Sequence, residues 1–197
     1  MSELSPEIAA TEEWARGDWM QLYSGARFFP MDPRADEIDP IDIAHALSLI
    51  CRYGGHSERF YSVAEHCVLL SRWVAPEHAL WALLHDASEA YVGDMVRPLK
   101  RQLPDYEAAE DRVITAVAER FGLTLPMPRE VKDADNRILL DERAAVLGPI
   151  TCPCAIEDLA PLGVQVTGWK PREAEVEYLI RLSELVDLSN WPGQVDA

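Results

Sequence analysis

A chain of 197 residues, 48% of them apolar, is long enough for one domain with a sizeable core. Its 34 acidic against 18 basic residues give a net charge of −16, which argues against a broad electrostatic grip on nucleic-acid polymers, because their phosphates are held by Lys and Arg. No apolar run reaches membrane-spanning length, and the acidic opening MSELSPEIAATEEW lacks the basic-then-apolar pattern of a signal peptide, so the expectation is a cytoplasmic protein with no membrane segment.

In chain order, residues 1–17 read as a peripheral arm and 18–197 as a single domain. The string DWMQLYSGARFFPMDP places short apolar runs on both sides of Ser24-Gly25, which predicts a β-hairpin. DPRADEIDP is acidic and turn-rich and reads as a surface loop. From Asp42 the period becomes helical: Ile43, Ala46, Leu47 and Ile50 share the face of a helix that starts near Asp39 or Asp42 and stops before Gly54-Gly55. A second helix is predicted over 63–75, capped by Ser62, with Val63, His66, Cys67, Leu70 and Val74 on one stripe. Pro76 opens a third that ends near Gly93. A fourth covers about 105–121, a fifth about 129–147, and Pro171 opens the last, about 171–187, with Ala174, Tyr178, Leu182 and Leu185 inward. Residues 149–169 read as irregular. The fold class is mainly α with one small N-terminal β-hairpin, and residues of about 42–147 form its functional core.

Four cysteines suggest no disulfide framework. Cys51 and Cys67 lie in helix-like apolar stretches, where a free cysteine is a small buried hydrophobe. Cys152 and Cys154 are closer together than the usual zinc-site spacing and have no second pair downstream.

The chemistry is carried by His85-Asp86 within WALLHDASEAY, where Leu80, Leu83, Leu84, Ala87 and Tyr91 mark the buried side. An HD pair alone is a weak signal. Two polar intrusions elsewhere strengthen it: His66 on the apolar stripe of the preceding helix, and Asp135, which shares a face with Val131, Ile138, Glu142 and Ala145. Asp133 points elsewhere. Buried carboxylates are paired or metal-bound because desolvating them is costly. Two imidazoles with two carboxylates suit a borderline cation such as Mn, Co, Zn, Fe or Ni. Such an ion makes a small phosphorylated substrate compatible with an acidic chain.

The order His, then His-Asp, then a distant Asp resembles the HD superfamily of metal-dependent phosphohydrolases. Arg52-Tyr53 ahead of VAEH, HDASEAYVGD and VKDAD resemble the bacterial 5′-deoxynucleotidase group, over about residues 52–141. SGARFFPMDPR, HALSLICRYGGH and the closing W-K-P-x-E-A resemble phage and bacterial HD phosphohydrolases. The resemblance implies a helical HD-type domain, metal ligation by His66, His85, Asp86 and Asp135, and a Glu89 that positions or deprotonates the attacking water. Arg52 would orient phosphate, and Asp94 would meet the sugar. Tyr53 stands where the deoxynucleotidases carry Trp, and Met95, Val96 and Arg97 depart from their pattern. Read from the residues, His56 is either a phosphate contact or a loop residue packing on Tyr61, while Arg97 and Lys100 are either phosphate contacts or solvated charges. The implied activity is hydrolysis of a (deoxy)nucleoside phosphate, with a homodimer by analogy. Phosphodiester or alarmone hydrolysis, and a non-catalytic nucleotide-binding module, are the alternatives.

Overall fold

A computed structural model describes residues 16–149 and 158–187. They are mainly helical, with a two-stranded antiparallel hairpin near the N-terminus, β1 (Met20–Gln21) and β2 (Arg27–Phe28), in which Met20 pairs with Phe28 and Gln21 with Arg27. The expected hairpin forms around Ser24-Gly25 and is pinned to the bundle by Asp42, which accepts from the Ser24 amide at 2.7 Å and its hydroxyl at 2.8 Å. Residues 1–15 of the expected arm lie outside the described residues; Arg16 binds Asp32 and Glu37 at 2.6 and 2.5 Å.

Among the described residues, eight α-helical segments follow: α1 (Pro40–Leu49), α2 (Val63–Trp73), α3 (Ala79–Leu84), α4 (Glu89–Val92), α5 (Arg97–Lys100), α6 (Pro104–Phe121), α7 (Arg129–Val146) and α8 (Pro171–Leu185). Local chemistry sets several boundaries. Asp39 caps α1 by accepting from the Ile41 amide at 2.7 Å, a contact worth about 1 kcal/mol. Proline at the first turn of α1, α6 and α8 costs no hydrogen bond. Gly122, left-handed at φ 67°, ends α6.

The central helix is α2, packed against α1, α3, α7 and α8. One apolar cluster joins Ile43, Leu47, Val63, Leu83, Val117 and Tyr178; a second joins Leu70, Val74, Trp81, Val131 and Ile138. Ile43 and Leu47 are fully buried, each contributing about 1.5–3 kcal/mol relative to exposure. The expected inward face of α8 is buried at Ala174, Tyr178 and Leu182, with Leu185 half-buried.

Three expectations need correction. The helix expected from Pro76 to Gly93 is not continuous: a 3₁₀ turn (Pro76–His78) and α3 precede a tight turn at 85–88, then α4. The His85 ring bonds the Ala82 carbonyl at 2.8 Å, the acceptor an α-helix assigns to the amide of residue 86. Amides of Ala87 and Glu89 bond instead three residues back, to Leu84 and Asp86, at 2.9 and 3.0 Å. Helix α1 ends at Leu49, well before the glycines, because Cys51 forms an antiparallel bridge with Ser62 and Arg52–Gly55 is a 3₁₀ turn. Cys51 is therefore half-buried and non-helical, whereas Cys67 is fully buried in α2. The irregular reading of 149–169 holds for 158–169; Cys152 and Cys154 lie outside the described residues. No described helix is long and apolar enough to cross a membrane.

Candidate metal centre

Helix α2 brings His66, the 85–88 turn brings His85 and Asp86, and α7 brings Asp135. The four groups converge. His66 Nε2 lies 3.2 Å from His85 Nε2, 3.6 Å from Asp86 Oδ2 and 3.5 Å from Asp135 Oδ1. His85 Nε2 is 3.2 Å from Asp86 Oδ2 and 3.8 Å from Asp135 Oδ1. Ligands each about 2.0–2.2 Å from one cation stand roughly 3–3.5 Å from their neighbours, so these spacings fit a shared ion. The 3.2 Å approach of His85 to Asp86 occurs where the chain leaves regular α geometry.

The other ring nitrogens fix what the converging ones offer. His66 Nδ1 donates to Glu142 Oε1 at 2.5 Å, and His85 Nδ1 donates to the Ala82 carbonyl at 2.8 Å. Both neutral imidazoles then present Nε2 as a lone pair, the arrangement by which partners outside the ligand set orient metal-binding histidines. Two lone pairs and two carboxylates facing one another repel unless a cation or an added proton stands among them. Without a metal, burial acts to lower the His85 pKa, but Asp86 and other neighbours outweigh it and raise it well above its usual value. Asp86 and Asp135 are held below the carboxylate range by the imidazoles, despite burial. The cluster could therefore hold a metal ion: His66, His85 and Asp135 form one group of mutually close donors, and His85 and Asp86 form a second with Cys67. Cys67 lies against His85 and Asp86, but burial pushes its thiol up to about 11, so it stays neutral.

A cavity of about 600 Å³ opens onto Asp86 and Asp135, within the usual size range of small-molecule sites. Arg52 and Glu89 line it. Arg52 Nη1 lies 3.4 Å from Asp86 and Nη2 3.3 Å from Glu142, while its Nε is buried without a partner. Glu89 is 9% exposed with Oε2 unpartnered; burial first, then Asp86 and Asp94, push its carboxyl well above the usual value. Burial also raises Asp94, which Arg52 partly offsets.

The remaining expected contacts separate. Tyr53, Asp94, Arg97 and Lys100 line the cavity; His56 is exposed and is not among the lining residues. Lys100 is paired with Glu110, and Arg97 contacts Asn136 at 3.3 Å and Asp135 at 3.8 Å. The Tyr53 hydroxyl is committed to Glu142, and its backbone is left-handed at φ 59°, ψ 26°, a conformation costing a bulky residue roughly 1–2 kcal/mol. Three residues of the site carried no expected role. Arg101 and Lys132 also line the cavity, and Lys132 Nζ is 2.7 Å from Asp135 Oδ2. Glu142 is fully buried at the back of His66; burial would raise its pKa, yet Arg52 and then His66 hold it at about 2. The available signal was its place two helical turns beyond Asp135 on the same apolar face.

Fold and site together define a mainly α-helical protein with a buried cluster that could hold a metal ion. The chain is 45% identical over 125 residues, 64% of its own length and 70% of the relative's, to YfdR of Escherichia coli (strain K12), described as uncharacterized, and it belongs to the same protein family. RCAP_rcc00048 of Rhodobacter capsulatus, likewise described as uncharacterized, is 37% identical over 126 residues, 59% of this chain and 64% of that relative. No protein-family model matches the chain.

Proposed function

We propose that the protein is an HD-type, divalent-metal-dependent phosphohydrolase that cleaves phosphate from a nucleotide, with Mn, Co, Zn, Fe or Ni as the cation. One observation carries this reading: four acceptor groups converge at the edge of a cavity while both imidazoles already spend their Nδ1 protons elsewhere. His66, His85, Asp86 and Asp135 would hold the cation. When bound, a cation there supplies Lewis acidity toward a phosphoryl oxygen and lowers the pKa of a water.

The chain's own residues provide the rest. Arg52, Arg97, Lys100, Arg101 and Lys132 line the cavity beside the carboxylates of Asp86, Glu89, Asp94, Glu107 and Asp135, so a bound cation would tip the balance of this wall toward an anionic ligand. Arg52, with one buried nitrogen unpartnered, neutralises charge building on the phosphoryl group. Glu89, held above its usual pKa with one oxygen unpartnered, takes a proton from water more readily than an ordinary carboxylate. Asp94 and Tyr53 shape the wall for the nucleoside part. Free Cys51 and Cys67 suit a reducing cytoplasm.

The test is phosphate release by purified protein with Mn²⁺ or Co²⁺ on nucleoside mono-, di- and triphosphates. Release that depends on the cation and on Glu89 is expected. No release on any member, with metal shown to be bound, rejects the reading.

A further inference from the structure

The two oxygens of the fully buried Glu142 face different parts of the protein. Oε1 accepts from His66 Nδ1 at 2.5 Å and from the Tyr61 hydroxyl at 2.9 Å. Oε2 accepts from the Tyr53 hydroxyl and from Arg52 Nη2 at 3.3 Å. A carboxylate offers about four acceptor positions, and four different residues take them. Packing alone does not call for these partners: His66 turns its other nitrogen into the metal cluster, and Arg52 and Tyr53 line the substrate cavity. Arg52 also reaches Asp86 at 3.4 Å, so the network closes on a second ligand of the proposed ion.

We infer that Glu142 is a positioning residue that ties the metal centre to the anion-binding wall of the cavity, one oxygen setting the His66 tautomer and the other holding Arg52 and Tyr53 in place. The inference rests on the metal reading above. An ionised acceptor behind a histidine makes its opposite nitrogen a better ligand and fixes the ring's orientation. On the other side, the phenol bond holds Tyr53 in a left-handed backbone conformation that nothing in its own chemistry favours. The cavity wall and the cation site are thus set by one charge.

Three variants of the full chain separate this from a packing role. Glu142→Gln keeps the shape and removes the charge; Mn²⁺ affinity measured by calorimetry should fall about 10–100-fold. Nitrogen NMR of the metal-free variant should show that His66 is no longer fixed with its proton on Nδ1. Tyr53→Phe should keep Mn²⁺ affinity and raise KM for the nucleotide found active, whereas Tyr61→Phe should lower only thermal stability. If wild type binds Mn²⁺ and Glu142→Gln binds it equally well with the same His66 tautomer, the inference is wrong and the metal reading stands. If wild type binds no divalent cation, the metal reading falls and takes this inference with it. Should Glu142→Gln not fold, the tyrosine pair decides: a KM effect confined to Tyr53→Phe supports the inference, and equal behaviour of the two overturns it.

Discussion

Glu65 and His66 are neighbours on the central helix, both fully buried, and they face different parts of the protein. Glu65 reaches the segment before α8, where its carboxylate accepts from the amides of Thr167, Gly168 and Trp169 at 2.9, 2.9 and 2.5 Å. Every partner there is a donor, so the buried charge is satisfied within the chain. His66 turns the other way, toward groups that are all acceptors in their neutral or ionised forms. The first arrangement is complete and holds the last helix in place; the second needs an added positive charge. The partners' chemistry, more than burial, separates structural polar groups from functional ones.

Removal of a proposed metal ligand should have the largest effect. Asp135→Asn should abolish Mn²⁺ binding and turnover, and the rise in Tm that metal gives wild type should vanish. Tm of the metal-free variant should fall only modestly, since the isosteric amide keeps the packing and loses the attraction of the imidazoles and Lys132 for the ionised carboxylate. A metal-free Tm that collapses would place Asp135 with Glu65 among structural groups. Next comes Glu89→Gln, which should lower kcat about 10²–10⁴-fold, the usual contribution of a positioned acid or base. Its Mn²⁺ affinity and Tm should hold, and unchanged turnover would remove Glu89 from the reaction.

Glu65→Ala tests the other face of the same turn of α2. It strands three part-buried backbone amides that now meet a carboxylate, at a total cost of about 1–3 kcal/mol. Urea unfolding should show that loss, while the folded protein should bind Mn²⁺ as wild type does. Weakened metal binding in the folded variant would mean the two faces of this turn of α2 are coupled.

These contrasts bear on how far the sequence could be read. Helix boundaries were legible where prolines and a glycine set them, at Pro40, Pro104, Pro171 and Gly122. The convergence of His66, His85, Asp86 and Asp135 was legible because polar residues on apolar stripes are costly unless they meet. The break after α3 was not, since it depends on the His85 ring taking a backbone carbonyl. Glu65 carried no expected role: Ser62 caps its amide at 3.1 Å, as the sequence implied, but the glutamate side chain is spent on residues 102–104 positions away. Glu142 was hidden for the same reason, its four partners lying 76–90 positions distant. Periodicity shows which face a side chain occupies; it does not show what stands across from it.

The smallest effect is expected at the hairpin, where Asp42 holds Ser24 by two bonds. Ser24→Ala removes the hydroxyl bond and leaves the amide bond, so the acceptor is not stranded, and the cost should be about 0.5–1.5 kcal/mol. Whether that loss stays local is the more pointed question. Phe28 of β2 stacks on Tyr91 of α4 at 4.1 Å between ring centroids, and Glu89 opens that same short helix. A hairpin that merely covers the core would loosen without moving Glu89, because Phe28 is itself fully buried and its packing does not pass through Ser24. Unfolding should therefore shift while kcat and KM stay at wild-type values. A fall in kcat at temperatures well below the unfolding transition would show instead that the hairpin's grip on α4 is transmitted to Glu89, and that this surface element belongs with the catalytic end of the molecule.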